Sequence, residues 1–314
     1  MNIVITEPLG ISGELLDGLC APFGAHAFTA YDTKPDSVQA LVRRAREADI
    51  VIMANTPFPA EAVDGCPSLR YIDVAFTGVD HVALDRCRQR GITVSNASGY
   101  SEQAVAELVI GQAVALLRGL PACDAAAREG RTGAGLAGRE IAGRTVGIIG
   151  LGKIGLKTAR LFQAFGARVI AHSPHLKEEA RALGIAYVSL EELLHRSDIV
   201  TLHAPSNAST RGMLGPKQFA LMKLGALFIN CARGALVDSQ ALADALNQGR
   251  LAGAAADVFP MEPPLPPQEP LLHAKNMLLT PHIAFATEES MLRRARIVFN
   301  NLAAYLDGHP VNLV

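Results

Sequence analysis

The chain has no tryptophan, and aromatic residues fill only 5% of its 314 positions. Charge is sparse as well, at 19% Asp, Glu, Lys and Arg against about 25% in an average soluble domain. With 29 Lys+Arg against 30 Asp+Glu the net charge is −1, which excludes the electrostatic footprint of a nucleic-acid or anionic-membrane partner. Cysteine is scarce and odd in number: Cys20, Cys66, Cys87, Cys123 and Cys231 lie far apart with no CxxC pair. A disulfide framework or a structural metal site is therefore not expected, and a reducing cytoplasm is the natural compartment. No unbroken run of 18 apolar residues occurs, so no membrane-spanning helix is predicted. The opening MNIVITEPLG lacks the basic residues and long apolar stretch of a signal peptide. What these absences leave is a chain whose partner is a small molecule.

Apolar residues make up 49% of the chain, and a length of this order predicts about two domains, each able to bury a core without staples. Short β-branched runs alternate with longer amphipathic stretches. Met1–Thr6, Ile50–Ala54, Leu69–Ala75 and Ile92–Ser95 predict strands, and Asp36–Ala48 predicts a helix with Val38, Leu41, Val42 and Ala45 at helical spacing. A long helix is predicted from about Ser101, a suitable N-cap, to Leu120, ended by Gly119-Leu120-Pro121. Arg128–Gly143 reads as an extended connector rich in Gly and Arg. A second series follows, with strands at Val146–Ile149, Arg168–Ala171, Ile199–His203, Leu227–Asn230, Gly253–Val258 and Met277–Thr280, then a final helix over Thr287–Asp307. Strands alternating with helices indicate βαβ units and parallel sheets. Residues 260–270 hold six prolines; a polyproline ligand is one reading, but a position between two strands favours a stiff ordered loop.

Gly150-Leu151-Gly152-Lys153-Ile154-Gly155 is GxGxxG, preceded by the apolar strand Thr145–Ile149 and followed by a helical stretch from Leu156. In that context the glycines allow a tight turn and close backbone approach, and the helix N-terminus offers free N–H groups to a pyrophosphate. The second strand of this unit ends Ala171-His172-Ser173-Pro174-His175, with no Asp or Glu between Gly166 and Lys177. A carboxylate there would bind the ribose 2′-hydroxyl and repel a 2′-phosphate. Its absence, with His172, Ser173, His175 and Lys177 at hand, tilts an NAD(P)(H) site towards NADP(H).

Arg233, Glu262 and His282 each stand beside an apolar strand end, where ligands bind in open parallel sheets. Taken singly, a surface arginine, a solvated glutamate and a structural histidine explain them equally well. Together on a nicotinamide-type fold, they form a carboxylate clamp and a proton-shuttling pair. Phe76-Thr77-Gly78-Val79-Asp80, Ala104–Glu107, Gly150–Gly155, Leu202–Pro205 with Thr210, Asn230–Gly234, Asp257–Pro263 and Thr280–Ile283 follow in order over essentially the whole chain. In these segments the sequence resembles the D-isomer-specific 2-hydroxyacid dehydrogenase family.

That resemblance implies an α/β fold of two parallel-sheet domains. One is a flavodoxin-like substrate domain, 1–98 with 287–314, and the other an inserted Rossmann dinucleotide-binding domain, 99–286. It implies that Arg233 binds the substrate carboxylate and polarises the 2-oxo group, that His282 exchanges a proton with the carbonyl oxygen, and that Glu262 orients His282 and stabilises its imidazolium. Phe76, Thr77, Gly78 and Val79 would line the substrate, with the Gly78 and Val79 amides on its carboxylate. Implied cofactor contacts begin with Val105 on the long helix and with Gly150, Gly152, Lys153, Ile154 and Gly155. They continue through His172, Ser173 and Pro174, then His203, Ala204, Pro205 and Thr210. Cys231, Ala232 and Arg233 follow, with Asp257 on the nicotinamide amide, and His282 with Ala284. The long helix and its connector resemble the family's dimerisation element, which implies a homodimer.

The chain also departs from the family pattern. Ala54-Asn55 stands where many members carry Arg-Ser, so the basic residue that helps hold a phosphate is missing there. A chain of 314 residues is expected to leave no room for a C-terminal regulatory domain, and both features weigh against a phosphoglycerate enzyme. His81 replaces a commoner Asn and reads as structural, and Phe285 replaces a small residue in the pocket wall. The resulting expectation is a cytoplasmic reductase of a small 2-oxo acid such as glyoxylate or hydroxypyruvate. The competitors are a cofactor-sensing protein like the family's corepressor branch and a phosphite-type dehydrogenase. Glu262 opposes a formate-type reading, since those members carry Gln there.

Overall fold

Apolar runs too short for helices form the strands of two all-parallel sheets in the computed structural model, which describes residues 1–314. Met1–Ser101 with Ala286–Val314 make one unit, and Glu102–Phe285 the other.

The first unit carries β1 (Asn2–Ile5), β2 (Ala27–Ala30), β3 (Ile50–Met53), β4 (Tyr71–Val74) and β5 (Thr93–Asn96), in the order β2-β1-β3-β4-β5. Every residue of β3 and β4 is buried, as expected of strands covered on two faces. The chain runs outward from β1 to β2 and then reverses through β3, so a topological switch point lies between β1 and β3. Edge strand β2, Ala27-Phe28-Thr29-Ala30, is mostly exposed and carries no apolar run, which is why the pattern gives no sign of it. The helix Glu288–Leu306 starts at a Thr287/Ser290 capping box and buries Ala295, Val298, Phe299 and Leu302. The predicted helix over Asp36–Ala48 is shorter, Val38–Ala45, because Ser37 caps it by accepting from the Ala40 amide.

The second unit carries β6 (Thr145–Ile149), β7 (Arg168–His172), β8 (Ala186–Tyr187), β9 (Ile199–Leu202), β10 (Ala226–Asn230), β11 (Leu251–Ala256) and β12 (Met277–Leu279). Their order is β12-β11-β10-β9-β6-β7-β8, with the reversal between β6 and β9. The long helix is Glu102–Arg118, and Gly119 in the left-handed region (φ 58°) breaks it. Pro121 does not end the helical stretch as expected. It sits in the first turn of a second helix, Leu120–Arg128, where its missing N–H costs nothing. No single helix is long and apolar enough to cross a membrane.

Candidate active site

The glycine loop follows β6 at the switch point. Gly150 has φ +91°, and a Cβ on it would lie 2.7 Å from the Ala204 amide nitrogen and the His203 carbonyl, so only glycine lets β6 and β9 close up there. A Cβ on Gly155 would meet the Gly150 carbonyl oxygen at 2.2 Å, whereas one on Gly152 would meet open space. Gly152 is the N-cap of helix Lys153–Ala164 and offers no side-chain cap. The first amides of a three-turn helix are thus uncapped beside open space, which fits a pyrophosphate.

The remaining residues expected at a cofactor follow the carboxyl ends of neighbouring strands. His172, Ser173 and Pro174 follow β7, where the Val188 carbonyl accepts from His172 Nδ1 at 3.1 Å and leaves Nε2 uncommitted. His203, Ala204 and Pro205 follow β9; Thr201 Oγ1 lies 3.0 Å from His203 Nε2. Burial pushes His203 down to about 4, so it is neutral at physiological pH. Thr210 donates to the Pro205 carbonyl (2.6 Å) and accepts from the Asn207 amide (2.9 Å), holding that loop folded. Cys231 after β10 is buried and donates to Gln112 Oε1 at 3.2 Å; burial pushes its thiol well up, which makes it an inert neutral group. Val105 is buried on the helix Glu102–Arg118.

After β10, Asn230 turns the chain by accepting from the Ala232 amide and donating to the Arg233 carbonyl, each at 3.0 Å. Arg233 Nη1 donates to the Ala232 carbonyl at 2.8 Å. Gly234 packs its Cα on Phe259: a Cβ would come within 1.9 Å of that backbone carbonyl carbon. The Arg233 turn is therefore locked against the segment that leads to Glu262. His282 Nδ1 lies 2.9 and 3.0 Å from the two Glu262 carboxylate oxygens, and the Phe285 ring stands perpendicular to the imidazole, centroids 5.5 Å apart. Nδ1 is committed to the carboxylate, so Nε2 is the nitrogen left for proton exchange.

His282 has φ 56°, unfavourable for a residue with a side chain. Its own amide donates to the Asp257 carbonyl at 2.8 Å. The fully buried Asp257 carboxylate accepts from Thr280 Oγ1 (2.6 Å) and from the amides of Ile283 (2.9 Å) and Ala284 (2.8 Å). Asp257 thus pins the turn that carries His282. Asn230, Gln112 and Thr280 shape the site although sequence reasoning gives none of them a role. The one signal available is a polar residue inside an apolar face or strand.

In the first unit, Phe76–Val79 follow β4. Their carbonyls are used internally: Phe76 O accepts from the Ala97 amide, Thr77 O from Asn96 Nδ2 and Val79 O from the Val82 amide. The amides of Thr77, Gly78 and Val79 have no acceptor in the chain. Three successive donors of this kind suit a carboxylate. Behind them the buried Arg294 guanidinium lies 4.8 Å over the Phe76 ring. His81 Nε2 lies 3.0 Å from the Ala54 carbonyl, a structural contact.

Residues 110–284 match the model of the D-isomer specific 2-hydroxyacid dehydrogenase NAD binding domain. The chain is 38% identical over 292 residues to a glyoxylate reductase of Aeropyrum pernix, covering 90% of this chain and 87% of that one. It is 35% identical over 292 residues to a hydroxypyruvate reductase of Blautia hydrogenotrophica, covering 90% of each. The crystal structure of the TT0316 protein of Thermus thermophilus superposes over the whole of both chains with a TM-score of 0.90 at 35% identity.

Proposed function

The chain belongs to the D-isomer-specific 2-hydroxyacid dehydrogenase family, and from that premise we propose how its own residues act on a small 2-oxo acid. It is a nicotinamide-dependent oxidoreductase of the CH–OH group, and the bound nicotinamide supplies or takes up the hydride. Glyoxylate and hydroxypyruvate are the substrates we favour, since relatives at 35–38% identity bear those names. The domain roles follow the same reading, with the substrate unit built on β1–β5 and the cofactor unit on β6–β12.

Protonation of the carbonyl oxygen falls to His282. The observation that carries this role is the Glu262 carboxylate across Nδ1 at 2.9 and 3.0 Å, which fixes the ring and leaves Nε2 to give or take the proton. Glu262 compensates the charge on the imidazolium, as a carboxylate does in other histidine-based proton relays. The Arg233 guanidinium is the group suited to hold the substrate carboxylate and polarise the ketone, and the Thr77, Gly78 and Val79 amides of the first unit are donors suited to a carboxylate. The uncapped helix at Gly152 takes the pyrophosphate, and the absence of an acid after β7 favours NADP(H). We assign the enzyme to the cytoplasm, in keeping with its five free cysteines, and as a homodimer through the Glu102–Arg118 helix and its connector.

Ultraviolet absorbance of NADPH and NADH, each mixed with glyoxylate, hydroxypyruvate, pyruvate and phenylpyruvate, tests this reading. Oxidation with D-2-hydroxy acid as product supports it. Catalytic efficiency about tenfold or more in favour of NADH ends the NADP(H) assignment. Cofactor binding with no turnover of any acid points instead to a sensing protein or to another hydride donor.

A further inference from the structure

The helix Glu102–Arg118 buries one polar side chain, Gln112, among alanines, valines, an isoleucine and a leucine. A primary amide in such a place is costly unless its groups are paired. Both of its polar ends find partners. Gln112 Oε1 accepts from the Cys231 thiol at 3.2 Å, and Gln112 Nε2 donates to Thr280 Oγ1 at 3.4 Å. Cys231 follows β10 and Thr280 follows β12, so one helical side chain spans the carboxyl ends of three adjacent strands, β10, β11 and β12.

The direction of these bonds is fixed from one end. The Asp257 carboxylate takes the backbone amides of Ile283 and Ala284 and can only accept, so Thr280 spends its one proton on it, at 2.6 Å. The Thr280 oxygen is then left to accept, which turns the NH2 group of Gln112 towards it. The Gln112 carbonyl oxygen consequently faces Cys231 and needs a protonated thiol, the form that burial favours. Three donors therefore point the same way, from Cys231 to Gln112 to Thr280 to Asp257, and each bond polarises the next. At one end Cys231 lies inside the turn that Asn230 closes around Arg233. At the other, the His282 amide donates to the carbonyls of Asp257 (2.8 Å) and Thr280 (3.0 Å).

We propose that Gln112 is a positioning residue that holds the Arg233 turn and the His282 turn in one register, so that carboxylate clamp and proton donor keep a fixed relation. This rests on the 2-oxo acid reading given above, which gives the two turns a common task. The backbone ladder runs out at the Asp257 and Thr280 amides, which donate to the carbonyls of Asn230 and Ala256. Past that line both turns leave the sheet, and the side-chain amide of Gln112 spans them.

The test measures kcat/KM for glyoxylate and hydroxypyruvate, and amide hydrogen exchange of the free protein, in the native, Gln112→Met and Gln112→Glu forms. Gln112→Met keeps the length of the side chain and removes both bonds. Displacing reacting groups by ~1 Å costs on the order of 10²-fold, so kcat/KM should fall about 10–100-fold. The amides of Ala232, Ile283 and Ala284 should exchange faster together. A glutamic acid at 112 replaces both bonds while protonated, its carbonyl oxygen facing the thiol and its hydroxyl facing Thr280; ionised, it can only accept. Burial raises the pKa of such an acid, so the ratio of Gln112→Glu to native kcat/KM should lie near unity at about pH 5–6 and fall as pH rises. Loss of packing alone gives no such rescue. Native kcat/KM in Gln112→Met, equal impairment of both variants at every pH, or faster exchange in one turn alone would overturn the proposal and leave the reductase reading standing. If Gln112→Met does not fold, the Gln112→Glu ratio decides by itself. A native protein that turns over no 2-oxo acid sinks the reductase reading; joint loosening of the two turns then upholds their linkage, and unchanged exchange overturns it.

Discussion

The two units hold their functional loops by different means. In the second, loops are fixed where backbone meets backbone: Gly150 against His203 and Ala204, Gly155 against Gly150, and Gly234 against Phe259. Two buried polar side chains complete that set: Asp257 ties down the His282 turn and Asn230 the Arg233 turn. In the first unit the work falls to buried polar side chains. Glu7 clamps the loop after β3, Arg294 backs Phe76, and Asn301 joins the sheet to the last helix by donating to Asp73 Oδ1 (3.1 Å) and the Asn96 carbonyl (3.0 Å). Close backbone approach tolerates only glycine and so leaves a motif. A side-chain network leaves isolated polar residues scattered through the chain.

If that contrast is right, the second unit should fail through added volume and the first through lost partners. The largest effect is expected from Gly234→Ala. Its Cβ would meet a backbone carbonyl that cannot swing aside, and displacing the Arg233 turn by ~1 Å should lower turnover on the order of 10²-fold. Steady-state kinetics beside circular dichroism separates this from unfolding. Next is Asp257→Asn, which turns one accepting oxygen into a donor facing amides. A buried donor left unsatisfied costs about 1–3 kcal/mol, and the expected result is a lower kcat with little change in cofactor affinity.

Asn301→Leu sharpens the other side of the comparison. It strips the hydrogen bond from buried Asp73, and a loss of about 1–3 kcal/mol should appear in urea unfolding of the first unit. The most diagnostic effect concerns pH. Burial pushes Asp73 up to about 8 from 3.8. Below 3.8 the acid is neutral in both folded and unfolded chains and carries no penalty. Between those values the unfolded chain releases a proton that the folded one keeps, so stability falls as pH rises and levels off above 8. Asp73→Asn should flatten that fall, seen as urea midpoints that no longer decline from pH 4 to pH 8.

The same contrast explains what is legible in advance. Strands β3, β4, β6, β9 and β10 are mostly apolar and stand out, and the residues after them draw notice because motifs follow strand ends. Edge strands β2 and β8 stay invisible because their residues are half-solvated and carry no pattern. Pro121 reads as a terminator because a proline signals an end or a beginning alike, and only the Gly119 break decides which. The Glu262–His282 pairing needs family context, since 20 residues separate them. Glu7 and Lys34 escape a sequence reading altogether. Their partners at Ala54, Thr56 and Asn55 lie 47, 49 and 21 residues away, and no local pattern joins them.

The central claim is that His282, held by Glu262, moves the proton that accompanies hydride transfer. Single-turnover oxidation of reduced cofactor by hydroxypyruvate, in native enzyme and in His282→Ala with cofactor affinity measured alongside, tests it most directly. The account predicts a loss on the order of 10²–10⁴ in the rate of that step, with cofactor binding preserved. A His282→Ala enzyme that still turns over at near the native rate would contradict it.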